Sequence, residues 1–217
     1  MKRIVLQTQE KYLEKMRAKQ EDLTLKMEAY AQDNLVPILN WNAADFLEVM
    51  IRAYKPKRVL EIGMAIGYSS IRIARQLKAK SVLHAIEKSN ANIKLAAQYI
   101  NKAGLDDKIK IFQGDALEII PDLKKKYDFI FLDADKQDYE KLFNLLLPIL
   151  KKNGIIFIDN LLWHGYAAAR KVPAKENKSA QVIRSFNKLF MNSPLVKSII
   201  IPVGDGIGIG VKVKNDC

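Results

Sequence analysis

Two short acidic segments in this 217-residue chain carry the residue types best suited to chemistry: Leu132-Asp133-Ala134-Asp135-Lys136 and Ile158-Asp159-Asn160. Each follows an apolar run that reads as a buried parallel strand. Parallel strands end on the same side of a sheet, so Asp133, Asp159 and Asn160 fall on one rim. They offer only hard oxygen donors, the set that suits Mg2+ or a similar ion such as Mn2+ or Ca2+, with water or substrate oxygens completing the shell. Such an ion would bind and acidify a substrate hydroxyl. Lys136 is then placed to take or shield the released proton, its pKa lowered by a neighbouring cation and partial desolvation.

The partner of that oxygen is announced upstream by Arg58-Val59-Leu60-Glu61-Ile62-Gly63-Met64-Ala65-Ile66-Gly67-Tyr68-Ser69-Ser70, a strand that stops at a glycine turn and runs into a helix. Gly63 and Gly67 permit the tight turn and close backbone approach that a ligand needs at a strand's C-terminal end. Their spacing departs from the G-x-G-x-x-G of a dinucleotide site, which argues against a bound pyrophosphate. Val82 to Glu87 is a second apolar strand that ends in an acid, placed to accept hydrogen bonds from ribose hydroxyls. Gly114-Asp115-Ala116, after the strand Ile109 to Phe112, would flank a base.

Taken in order, these segments resemble the class I S-adenosylmethionine-dependent O-methyltransferases of the catechol and caffeoyl-CoA type, and among them the bacterial tRNA 5-hydroxyuridine methyltransferases most. The likeness runs from about Val36 to the C-terminus and adds Val36-Pro37-Ile38 and the late Gly204-Asp205-Gly206 to the segments above. The resemblance implies S-adenosylmethionine as methyl donor and a divalent cation. Val36, Glu61, Gly63, Gly67, Ser69, Glu87, Asp115, Ala116 and Asp133 form the candidate donor-binding set. Asp133, Asp159 and Asn160 form the metal set, and Lys136, with Asp133, carries catalysis as the base.

The elements that must position these residues alternate as a doubly wound α/β fold does. The pattern predicts a helix from Asn42, as cap, to about Tyr54. It then predicts strands over 57–62, 81–87, 108–113, 127–132 and 154–159, with helices over 67–78, 90–103, 116–125 and 137–151 between them. Ser89 and Gly104 are start and stop signals for the helix over 90–103. A last helix over 176–191 precedes Val196 to Val203 and Ile207 to Val213, which Gly204-Asp205-Gly206 joins as a hairpin. The expected architecture is a mostly parallel seven-stranded Rossmann-like sheet ending in an antiparallel hairpin. Residues 1–35 form a helical arm and 36–217 the methyltransferase domain. The stretch from Gln7 to Ala31 is one charged, helix-prone segment with an intermittent apolar stripe of Tyr12, Leu13, Met16, Leu23 and Met27. That stripe suits packing against the domain or a second subunit, and a homodimer is expected.

Composition narrows the class. A single cysteine, Cys217, excludes a disulfide framework and fits a reducing cytosol. No apolar stretch approaches the ~18 residues of a membrane span, and the N-terminus lacks the apolar core of a secretory signal. The net charge of +12 exceeds what an enzyme for a neutral phenol requires and predicts steering of an anionic partner. Most basic runs fall at helix ends, where lysine favours the dipole. Arg170 to Lys178 instead follows Asp159-Asn160 at the active rim and is the run favoured for phosphate contact. The favoured acceptor is therefore 5-hydroxyuridine in tRNA, with a small catechol-type or caffeoyl-type phenol as alternative. A noncatalytic RNA-binding protein on the same fold is the reading from another class.

Single residues also have plainer readings. Alone, Asp133 or Asp159 is a cap; paired on one rim with Asn160, they favour a cation. Lys136 alone is a first-turn lysine, and Ser69 alone a helix cap. Trp163 and His164 are expected to line the acceptor pocket. His84, inside an apolar strand, is expected to be a satisfied core histidine.

Overall fold

The computed structural model describes residues 6–214, so Cys217 lies outside the described residues. Seven strands form one sheet: β1 Arg58–Ile62, β2 Val82–Glu87, β3 Ile109–Gln113, β4 Tyr127–Leu132, β5 Leu150–Ile158, β6 Val196–Ile201 and β7 Ile207–Lys212. Their order is β3-β2-β1-β4-β5-β7-β6. The first five run parallel, β7 is antiparallel to β5, and β6 pairs antiparallel with β7. This is the expected mostly parallel Rossmann-like sheet with its terminal hairpin.

Among the described residues, eight α-helices accompany it: α1 Gln7–Met16, α2 Asp22–Asp33, α3 Trp41–Tyr54, α4 Tyr68–Gln76, α5 Asn90–Lys102, α6 Ala116–Ile119, α7 Tyr139–Ile149 and α8 Ala174–Asn192. Successive strand residues point to opposite faces, and both faces are apolar. Val59, Leu83, Ala85, Phe129, Phe131 and Phe157 pack with α2, α3, α4 and α5. Leu60, Ile62, Ile130, Leu132, Ile156 and Ile158 pack with α7 and α8. With both faces covered, the strands read as continuous apolar runs rather than as alternating ones.

Several boundaries differ from expectation for identifiable reasons. The segment from Gln7 to Ala31 is broken: Arg17 is extended (ψ 129°) and ends α1. Its guanidinium reaches Glu28 of α2 at 2.6 and 2.9 Å and sits over the Trp41 ring at 5.1 Å, so a tertiary contact makes a break that no Gly or Pro marks. α2 buries Met27 and Ala31 in the core, whereas Leu6, Tyr12, Leu13 and Met16 in and beside α1 are exposed. The cap of α3 is Asn40, not Asn42: the Asn40 side chain accepts from the Asn42 N–H at 3.1 Å. Ser89 caps α5 as expected, accepting from the Asn92 N–H. The helix expected over 116–125 stops at Ile119 and tightens into a 3-10 turn over Ile120–Asp122 at Pro121, which has no N–H to continue it.

Candidate active site

The five parallel strands deliver five loops to one end of the sheet. Gly63 follows β1, Glu87 ends β2, Gly114 and Asp115 follow β3, Asp133 follows β4, and Asp159 and Asn160 follow β5. Together they line a cavity of about 660 Å3. It takes in Gly63, Glu87, Asp115, Ala116, Asp133, Lys136, Asp159 and Asn160 of the expected set, and also Trp163 and His164. Val36, Glu61, Gly67 and Ser69 stand outside the lining. Pro37 and Ile38 face the cavity next to Val36, whose N–H donates to Ala31.

At the donor end, Gly63 has φ +85°, and a Cβ there would lie 1.9 Å from the Asp133 carbonyl oxygen. Only glycine allows the ends of β1 and β4 to approach so closely. The Glu87 carboxylate is fixed by two backbone donors, Ala65 at 2.9 Å and Ser89 at 2.8 Å. Asp115 caps α6 through the Leu117 N–H at 2.8 Å while lining the cavity. Beneath this floor, Glu61 is fully buried and accepts from the hydroxyls of both Ser69 and Ser70. Ser69 is thus not the cap of α4, a position Gly67 fills. Burial, against the two serine hydrogen bonds, pushes the Glu61 carboxyl up to about 7.

At the acceptor end, the Asp133 and Asp159 backbones are tied to neighbouring strands, Asp133 N–H to Ile62 at 2.9 Å and Asp159 N–H to Leu132 at 3.1 Å. Lys136 Nζ donates to Asp133 Oδ1 at 3.0 Å and to the Ala134 carbonyl at 2.9 Å, and lies 4.9 Å from the centre of the Tyr139 ring. Tyr139 was not singled out by its sequence position. Its buried hydroxyl donates to the Asp159 carbonyl at 3.0 Å, tying the first turn of α7 to the end of β5. Asn160 is left-handed (φ +62°), a conformation asparagine tolerates. Its side chain donates to Asp205 Oδ2 at 3.3 Å, and Asp205 Oδ1 accepts from the His164 N–H at 2.5 Å. Gly204-Asp205-Gly206 is legible in sequence as a turn, but only the pairing of β7 with β5 brings Asp205 to the site.

Charge around the cavity is lopsided. Glu87, Asp115, Asp133, Asp135, Asp138 and Asp159 line the cavity against two lysines, Lys88 and Lys136. Lys88 pairs with Asp135 and Lys136 with Asp133. Burial, and then the charge of Asp133, push the Asp159 carboxyl well above the ordinary carboxylate range. The sequence expectation for Lys136 includes a neighbouring cation; under the protein's own groups alone its pKa moves the other way. Burial works to lower it, but Tyr139 and Asp133 outweigh that and raise it above an ordinary lysine. Burial likewise raises the Tyr139 phenol. It is therefore un-ionised near neutrality, where Asp133 is the partner that keeps the ammonium protonated.

Among the described residues, no group of three His, Cys, Asp or Glu side chains is placed to hold a metal ion. The set here is two carboxylates and a carboxamide. Its hard oxygens, and the surplus negative charge around buried Asp159, fit a divalent cation.

Trp163 and His164 stand on the loop after β5, both left-handed (φ +45° and +55°). α8 clamps that loop: Arg184 donates to the carbonyls of Tyr166, Ala167 and Ala169, and Asn187 to that of Leu161. Trp163 Nε1 donates to Glu176 at 3.2 Å. His84 is satisfied as expected, its Nδ1 2.8 Å from the Tyr127 hydroxyl, but it is half-buried rather than part of the core.

A profile described as O-methyltransferase matches residues 7–213. The chain belongs to the O-methyltransferase family. This methyltransferase is 36% identical over 174 residues to caffeoyl-CoA O-methyltransferase 1 of Arabidopsis thaliana, covering 76% of this chain and 67% of that protein. It is 34% identical over 170 residues to the caffeoyl-CoA O-methyltransferase of Populus kitakamiensis, covering 75% and 72%. A crystal structure from Staphylococcus aureus assigned to the caffeoyl-CoA O-methyltransferases superposes with a TM-score of 0.88 at 28% identity, over 94% of this chain and 99% of that one. The methyltransferase is thus an S-adenosylmethionine-dependent enzyme of the caffeoyl-CoA type. No helix among the described residues is long and apolar enough to cross a membrane.

Proposed function

We propose that this methyltransferase moves a methyl group from S-adenosylmethionine to one hydroxyl of a small phenol bearing two adjacent oxygens, of the catechol or caffeoyl kind, with a divalent cation at Asp133, Asp159 and Asn160. The observation that carries the reading is the meeting of those three residues and Lys136 at one end of an acidic cavity whose other end is formed by Gly63, Glu87 and Asp115. Glu87 and Asp115 suit the hydroxyls and amine edge of a nucleoside, and a carboxylate-lined cavity attracts a cationic sulfonium.

When bound, a divalent cation supplies the charge that makes an acceptor hydroxyl ionise near neutral pH. The acceptor oxygen attacks the methyl carbon in line with the departing sulfur, forming an ether and leaving S-adenosylhomocysteine. A neutral Lys136 would take the acceptor hydroxyl's proton and then hold a positive charge beside the oxygen; with Asp133 drawn to a cation, the ammonium would be freed from the carboxylate that now keeps it protonated. Trp163 and His164 form one wall for the acceptor ring. The exposed Arg170, Lys171, Lys175 and Lys178 beyond them suit an anionic extension on the acceptor.

The same chemistry would serve 5-hydroxyuridine in tRNA, which also offers adjacent oxygens. The carboxylates of the cavity favour the small phenol, because they repel phosphates near the reacting centre. The uncovered apolar side chains of α1 support a homodimer, which light scattering coupled to gel filtration reads directly. The deciding assay measures methyl incorporation from labelled S-adenosylmethionine into a catechol and caffeoyl panel, into unmodified tRNA and into hydroxyuridine-containing tRNA. Each arm is run with chelator and after return of Mg2+, Mn2+ or Ca2+. Chelator-sensitive turnover of phenols is expected. Turnover on hydroxyuridine tRNA with none on phenols would reverse the acceptor, and full activity after metal removal would reverse the role of the cation.

A further inference from the structure

The charge of the chain is concentrated away from the cavity. In 52–58, 76–82, 122–128 and 149–154, the segments leading into β1, β2, β4 and β5, there are eleven Lys or Arg and two Asp, a net of nine positive charges out of +12 for the chain. These segments lie at the opposite end of the sheet from the cavity, about 17 Å away for strands of five residues at roughly 3.3 Å each. The four strand starts are adjacent in the order β2-β1-β4-β5 and spaced about 4.8 Å apart. The belt stops at β3, where Asp106 and Asp107 offset Lys108 and Lys110.

Part of this charge has structural work. Lys126 donates to the Pro148 carbonyl of α7 and Lys151 to Asp128, while Lys108, next to the belt, donates to the Ala74 and Leu77 carbonyls at the end of α4. Arg58 donates to the Lys126 carbonyl. The helix ends are therefore served, and the remaining lysines are surplus to them. Lys55 and Lys57 before β1, Lys78 and Lys80 before β2, Lys124 and Lys125 before β4, and Lys152 at the start of β5 are all exposed. None of these seven ammonium groups has a hydrogen-bond or ion-pair partner among the described residues. At β5, left-handed Asn153 and a register shift opposite β4 interrupt the ladder beside Lys152.

We propose that this end of the sheet is a docking surface for the phosphodiester backbone of a polynucleotide. A row of free ammonium groups over four strand starts matches a chain of regularly spaced phosphates better than it matches a single headgroup. No large exposed apolar side chain lies in these segments, so the surface lacks the wedge that would seat it in a lipid layer. Lysine heads bind phosphate as point charges, so the contact reads backbone rather than sequence. A strand bound here stays outside the cavity. The surface is therefore independent of which acceptor the enzyme methylates, and serves to hold the enzyme on the polynucleotide.

The test is fluorescence anisotropy of the full chain with a labelled 20-nucleotide oligouridylate between 50 and 200 mM KCl, beside cosedimentation with phosphatidylglycerol vesicles. The variant is K78Q/K80Q/K124Q/K125Q. For single strands the logarithmic salt slope is about 0.7 per phosphate contact. Four contacts therefore correspond to about a fiftyfold difference in how far affinity falls over that fourfold salt range. Wild type is expected to show the steeper fall and the tighter binding at 50 mM, and K171Q/K175Q/K178Q at the cavity rim to bind RNA as wild type does. Unchanged methyl transfer to whichever acceptor wild type uses shows that the belt variant is folded; should wild type lack turnover, its urea midpoint serves instead. The proposal is overturned if wild type fails to bind RNA, if the belt variant binds with the wild-type slope, if the rim variant alone loses binding, or if vesicles are bound and RNA is not.

Discussion

Replacing Glu61 by glutamine separates a structural carboxylate from a ligand. Glu61 is fully buried at the heart of β1, its two oxygens taken by the Ser69 and Ser70 hydroxyls. Burial raises its carboxyl from the ordinary 4.5 to about 7. An acid whose folded value lies above its unfolded value resists ionisation in the native state. Its contribution is therefore intact below pH 4.5, is lost as pH rises toward 7, and is constant above that. At about 1.4 kcal/mol per pH unit, that interval amounts to about 3 kcal/mol. Glutamine cannot ionise, and a serine hydroxyl can turn to accept from its amide, so both contacts survive. Urea unfolding of wild type and Glu61→Gln at pH 5, 6, 7 and 8 is expected to show the variant gaining about 2–3 kcal/mol on wild type across the series, while titrations elsewhere cancel. A difference that stays flat from pH 5 to 8 would refute the raised carboxyl. Calorimetry with S-adenosylhomocysteine on the same variant is expected to show little change, since Glu61 lies outside the cavity lining.

Gly63→Ala combines a left-handed φ, costing about 1–2 kcal/mol, with a Cβ forced onto the Asp133 carbonyl, so unfolding is expected to cost about 2–5 kcal/mol in all; a loss below about 1 kcal/mol would mean that the approach of β1 to β4 is loose. Lys136→Met is expected to lower kcat about 10²- to 10⁴-fold while S-adenosylhomocysteine still binds, which stopped-flow and calorimetry check together. Arg184→Ala removes three carbonyl contacts from the loop bearing Trp163 and His164. The KM for the phenol should rise about tenfold or more, corresponding to one lost charged hydrogen bond, with the KM for S-adenosylmethionine unchanged; equal rises in both would assign Arg184 to general stability.

The strands that carry the site were legible because both faces of the sheet are covered, which makes each strand a continuous apolar run, and because each run ends in Gly, Asp or Glu at the rim. Gly63, Glu87, Asp115, Asp133, Asp159 and Asn160 are all read this way, and all line one cavity. Tyr139 and Asp205 were not, for different reasons. Tyr139 looks like one more apolar residue of α7 until its hydroxyl is found on the Asp159 carbonyl. Asp205 reads as a turn residue, and its 45-residue separation from Asn160 hides a contact at 3.3 Å. The break after Arg17 was likewise invisible, because its cause is a partner on another helix.

By itself, the order of residue types along the chain determined the alternation of elements, the rim on which the acids gather and the kind of ligand that rim suits, since periodicity and turn chemistry are local properties. Tertiary structure alone decided three things. It set the protonation preference of Lys136, through the charge of Asp133 and against burial. It made Ser69 a support for Glu61. It also gathered the basic runs, which the sequence could place only singly at helix ends, into one belt at the end of the sheet away from the cavity. Each depends on groups distant in sequence and close in space, and electrostatic energy follows distance in space.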